Sequence, residues 1–149
     1  MAVTSRHTSL ADRYIEKSPG IEITLYEDAT VEDIIHGILM ASRYGARFTE
    51  RFAPMLKGRD DMATLRNVWQ FVRRNIAYQR DADGHEIIKS PGRTWQDRFG
   101  DCKSMSVKAA SLLENLGYDY FFRVAFYDPA EPNQGHIYPV VALPGGGKV

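Results

Sequence analysis

Apolar and polar positions divide the chain into segments of two periods. Residues 21–26, Ile-Glu-Ile-Thr-Leu-Tyr, alternate, which predicts a short half-buried strand. Beyond it, Thr30 is a candidate N-cap with Glu32 and Asp33 in the first turn, where the helix dipole favours acids. Ile34, Ile35, Ile38 and Leu39 then recur at helical spacing. They predict a helix to about Tyr44, ahead of Gly45, and a second piece to about Leu56, before Lys57-Gly58. Asp60 or Asp61 opens the clearest helix, where Leu65, Trp69, Val72 and Ile76 form a narrow apolar stripe.

Turn formers crowd residues 81–101: Asp81, Asp83-Gly84, Ser90-Pro91-Gly92 and Gly100-Asp101. Between them, Glu86–Ile88 is a candidate strand and Arg93–Phe99 a short helical turn. A connection this long tends to be functional in a compact domain. A helix then starts at about Cys102, carries Val107, Ala110, Leu113 and Leu116 inward, and stops at Gly117. Strands over Tyr120–Tyr127 and His136–Leu143 flank a turn at 128–135. Helices first, then antiparallel strands, is an α+β order. Residues 1–20 are polar and aperiodic and read as a flexible arm, leaving 21–149 as one domain.

Composition narrows the function classes. Among 149 residues, 19 Lys and Arg balance 19 Asp and Glu, unlike the basic surplus of a nucleic-acid binder. No stretch approaches the 18 or so apolar residues of a membrane span, and residues 1–20 lack an apolar signal core. A cytoplasmic protein without nucleic-acid or membrane partners is therefore expected. Arg59, Arg66, Arg73 and Arg80 recur every seven residues, a row that reads as a solvated helix flank.

The one cysteine, Cys102, excludes an internal disulfide and a zinc site of several thiolates. A lone cysteine is usually an inert small hydrophobe. This one follows Gly100-Asp101 at a predicted helix start, where unpaired amides and the helix dipole favour the thiolate and lower its pKa. Lys103 adds a charge, its side chain expected to point to solvent. A thiolate nucleophile also needs a base. Of four histidines, His136 opens a strand directly after Gly135, where its side chain can line a cleft. Asp128 and Glu131 look unlike a calcium loop, so neither metal nor cofactor is expected.

The run Phe71-Val72-Arg73-Arg74-Asn75-Ile76-Ala77-Tyr78, then Ser90-Pro91, then Gly100-Asp101-Cys102-Lys103 resembles the transglutaminase-like superfamily of papain-like cysteine enzymes, in its short bacterial and phage versions. Leu112-Leu113-Glu114-Asn115-Leu116-Gly117 and Gly135-His136-Ile137-Tyr138-Pro139-Val140-Val141 complete the pattern, which spans about residues 60–143. The resemblance implies a papain-like α+β core whose nucleophile helix packs on a small antiparallel sheet. It implies acyl transfer on amide bonds of a peptide or protein, with Cys102 as nucleophile and His136 as general base and acid. Gln96 and Trp95 are the side-chain candidates for an oxyanion hole beside the Cys102 amide. The third triad member, a carboxylate on the strand after His136, is not identified in this chain. The expected next strand begins only at Lys148-Val149, so the domain reads as truncated, with an open sheet edge beside His136–Leu143 that invites self-association. The alternative to an enzyme is a catalytically silent transglutaminase-like binding or assembly module, which as part of a phage protein would be virion-associated.

Overall fold

The computed structural model describes residues 3–18, 22–25, 30–82, 85–131 and 135–149. The expected arm contains a docked helix. In α1 (Ser5–Tyr14) a Thr4–His7 capping box closes the first turn, and Val3, Ala11 and Ile15 are buried in the main core. Thr8 donates to Asn75 at 2.9 Å, and Arg74 donates to the Val3 carbonyl. Three small apolar contacts spaced over 13 residues make no readable stripe, which is why the segment looked aperiodic.

The first strand, β1 (Glu22–Leu25), pairs antiparallel with β3 (Glu86–Lys89), Glu22 opposite Lys89 and Leu25 opposite Glu86. The expected strand ends at Ile21 and Tyr26 lie outside the described residues, as do Asp83-Gly84 in the turn-rich connection. Helix α2 (Val31–Thr49) starts as anticipated, with reciprocal Thr30–Asp33 capping. It does not stop at Gly45. A Cβ there would lie 2.3 Å from Cδ of Pro91, so this glycine permits close packing of two helices rather than breaking one. A 3-10 turn at Ala53–Leu56 follows.

Helix α3 (Asp61–Asn75) is capped by Asp60, which accepts from the Ala63 amide at 2.8 Å. Leu65, Val68, Phe71 and Val72 form its buried face, while Trp69 is 57% exposed and lies under Arg73. The core meets α3 one row away from the narrow stripe, leaving Trp69 on the flank. Arg59, Arg66, Arg73 and Arg80 are exposed.

Strand β2 (Ala77–Tyr78) runs parallel to β4 (Phe99–Gly100), with Tyr78 opposite Gly100. Between them lie β3 and α4 (Pro91–Asp97), which has Ser90 as N-cap and a proline in its first turn. Arg98 ends α4 at φ +63°, held by Asp12 and stacked 3.4 Å from the Trp95 ring centroid.

Helix α5 (Cys102–Asn115) is the centre of the molecule and contacts α2, α3, α4, β3 and β6. Gly117, at φ +81°, ends it in a Schellman motif, with Tyr118 N–H bonded to the Leu113 carbonyl. The hairpin β5 (Asp119–Phe126) and β6 (Gly135–Ala142) closes the fold, Asp119 opposite Ala142 and Phe126 opposite Gly135. The fold is mixed α+β, with small two-stranded pairs around a helical core.

The edge of β6 is not open. Ile137 O accepts from Ser106 Oγ of α5 at 3.0 Å, and Val141 exchanges backbone hydrogen bonds with Val149 after the turn at 143–147. The C-terminal residues fold back onto the edge expected to recruit a second copy, so that surface has no free ladder at these positions.

Two stability predictions follow from this packing. Gly45→Ala should destabilise the protein by about 1–3 kcal/mol in urea unfolding, because the methyl group collides with the Pro91 ring. Lys108 is fully buried on α5, its Nζ donating to the Pro91 carbonyl at 3.2 Å. Burial, and then the nearby Arg98 charge, hold its pKa well below the ordinary value of 10.5. A base with a depressed folded pKa costs stability below its unfolded pKa, and the cost fades as pH rises toward 10.5. Lys108→Met should therefore raise the melting temperature at pH 7, by about 2–4 °C per kcal/mol recovered. That advantage should shrink in scans taken toward pH 10.5.

Candidate functional site

Cys102 is the first residue of α5, and Asp101 is its N-cap. The Asp101 carboxylate accepts from the amides of Lys103 and Ser104 at 3.0 and 3.3 Å. Gly100 is needed before it, since a Cβ there would lie 2.8 Å from Cβ of Ser104. The helix start is therefore as expected, but the electrostatics differ. Burial pushes the Cys102 thiol above its ordinary pKa; the Ile137 amide and Lys103 oppose this, while the Asp101 charge adds to it. The net direction is up. Desolvation outweighs the helix terminus, correcting the lowered pKa expected from position alone.

Lys103 also departs from expectation. It is buried, with its ammonium among three carboxylates: Asp101 in direct contact, Glu86 at 2.7 Å and Asp81 at 3.3 Å. Burial alone would depress its pKa, but the three acids, Asp101 foremost, hold it above the ordinary lysine value. Asp101 moves the other way: burial raises its pKa, and Lys103 only partly offsets the rise. The carboxylates of Asp81, Glu86 and Asp101 lie close enough together to hold a cation. Lys103 supplies the positive charge there.

Cys102 and His136 line one cleft of about 520 Å³. Val31, Ile34 and Ile35 of α2 form an apolar wall, and Val124 and Phe126 of β5 another. Along β6, Ile137 turns into the core beside Cys102, while the exposed His136 lies 5.8 Å from Tyr138 and 6.5 Å from Tyr127, measured between ring centroids. Asp128 and Glu131 also border the cleft, but Asp128 accepts from the Ala130 amide at 2.9 Å. Among the described residues, no carboxylate forms an ion pair with His136.

Neither side-chain candidate for the oxyanion hole borders this cleft. Trp95 is fully buried in the core, stacked on Phe71 at 5.4 Å, and its Nε1 has no hydrogen-bond partner. Gln96 is exposed on α4. Both sit on α4, outside the cleft lining, before β4 returns the chain to Cys102. Tyr78 does border the cleft, carried there by the β2–β4 pairing. Its signal in the sequence is the tyrosine that ends the Asn75-Ile76-Ala77-Tyr78 run.

Among the described residues, no helix is long and apolar enough to cross a membrane. No family model and no curated protein matches the chain. Among solved structures it is similar to a "putative cysteine protease" from Cytophaga hutchinsonii, with a TM-score of 0.57 and 16% sequence identity. The match covers 93% of this chain and 45% of that one, so the chain spans about half the length of the protein it resembles. The likeness is one of fold.

Proposed function

We propose that the chain is a thiol-dependent peptidase of transglutaminase-like type, with Cys102 as nucleophile and His136 as general base and acid. The observation that carries this reading is the shared cleft, which a half-buried cysteine at a helix N-terminus and an exposed histidine at a strand start both line. The fold likeness to the Cytophaga protein supports it. Attack by Sγ on an amide carbonyl gives a tetrahedral oxyanion, for which the Cys102 amide is one donor. Collapse expels the amine, which takes its proton from His136, and leaves a thioester that water resolves. The raised thiol pKa favours proton transfer to His136 during attack over a stored thiolate–imidazolium pair. A non-catalytic binding module is the second reading. It is favoured by one observation: His136 has no carboxylate ion-pair partner among the described residues.

p-Nitrophenyl acetate, which needs no particular peptide sequence, separates the two. The enzyme should release p-nitrophenolate in a burst of one equivalent per chain, abolished by Cys102→Ala. His136→Ala should lower the acylation rate by about 10²–10⁴-fold. Equal rates for the three proteins would favour the binding module.

The protonation state of Cys102 is tested by iodoacetamide. With the thiol pKa raised, alkylation at pH 7 should be slower than that of free cysteine and should climb about tenfold per pH unit through pH 8. A rate already flat below pH 7 would show a preformed ion pair and overturn the general-base order of steps.

A further inference from the structure

Tyr78 is the one phenol that the β2–β4 pairing brings beside the nucleophile. It sits opposite Gly100, two residues before Cys102, and the neighbouring ladder bond from the Gln79 amide to the Gly100 carbonyl, at 2.9 Å, fixes that register. Paired strands run about 5 Å apart, within the reach of a tyrosine side chain. Tyr78 is 57% exposed and borders the same cleft as Cys102 and His136. No hydrogen bond to another described residue engages its hydroxyl, unlike Tyr118 and Tyr120, which donate to Asp61 and Glu114. Burial raises its pKa and the Asp101 charge adds to the rise, so the hydroxyl keeps its proton and remains a donor.

We infer that the Tyr78 hydroxyl is an oxyanion-hole donor, completing with the Cys102 amide the pair that Gln96 and Trp95 do not supply. The inference rests on the reading of Cys102 as nucleophile. In acylation by p-nitrophenyl acetate, Sγ bonds to the carbonyl carbon and the π pair moves onto oxygen. Tyr78 donates a hydrogen bond to that oxygen without transferring its proton. When the pair returns, the C–O bond to p-nitrophenolate breaks and the acetyl thioester remains. Alkylation by iodoacetamide displaces iodide and forms no oxyanion, so it is blind to such a donor.

The test compares wild type with Tyr78→Phe in both reactions at pH 8, with circular dichroism confirming that the variant is folded. Loss of one oxyanion donor should slow acylation tenfold or more and leave alkylation unchanged. Unchanged acylation in the variant would overturn the role. An equal loss in both reactions would overturn it too, since Tyr78 would then act on the thiol rather than on the oxyanion. If wild-type Cys102 alkylates but forms no acyl-enzyme, the peptidase reading fails, and this inference fails with it by a different observation.

Discussion

Lys103 ties the cleft to the rest of the fold. Its ammonium joins the N-cap of α5, through Asp101, to Glu86 on β3 and to Asp81 in the segment after β2. A buried cation with several carboxylates is stable only as a complete set, because removing one partner leaves the others unpaired in a medium of low dielectric. Those three points form the floor under Cys102. The position of Cys102 is therefore fixed by electrostatics immediately beside it, while hydrophobic packing fixes the remainder of α5.

That packing is dense around α5. Val107, Ala110, Leu112 and Leu113 are fully or almost fully buried, and Val107 joins Ile38, Ile88 and Ile137 in a second cluster beneath the cleft. Ile137 serves both layers, since its side chain belongs to this cluster, against which Cys102 also packs. The strand that carries His136 is thus anchored one residue away from the histidine. Ser106 adds a second anchor to the Ile137 carbonyl, so the backbone at the start of β6 has little freedom relative to α5.

Local punctuation made part of this legible in sequence. Thr30, Asp60 and Gly117 act through residues three to five positions away, and all three stand where the pattern put them. Gly100-Asp101 and Gly135 mark the helix and strand starts that carry Cys102 and His136 for the same reason. Partners distant in the chain were not legible. Gly45 reads as a stop until Pro91 is seen against it, and Lys103 reads as solvated until Asp81 and Glu86 are seen around it. Trp95 and Gln96 lie away from the cleft, and a spacing borrowed from other cysteine enzymes carries no information on where a short helix points.

The same charge cluster limits how the thiol can be activated. A lysine next to a cysteine usually favours the thiolate, yet this ammonium is surrounded by three carboxylates, and the nearest of them, Asp101, acts on the sulfur in the opposite sense. The Ile137 amide and Lys103 still favour the anion, and burial outweighs them. A resting thiol in such a site gains reactivity only when a base takes its proton as the carbon–sulfur bond forms. The negative charge then passes from sulfur to the carbonyl oxygen instead of accumulating next to Asp101. In the reaction proposed for this cleft, stabilising that oxygen would matter more than stabilising the thiolate, so the donors facing the cleft, rather than the acidity of Cys102, would set the turnover.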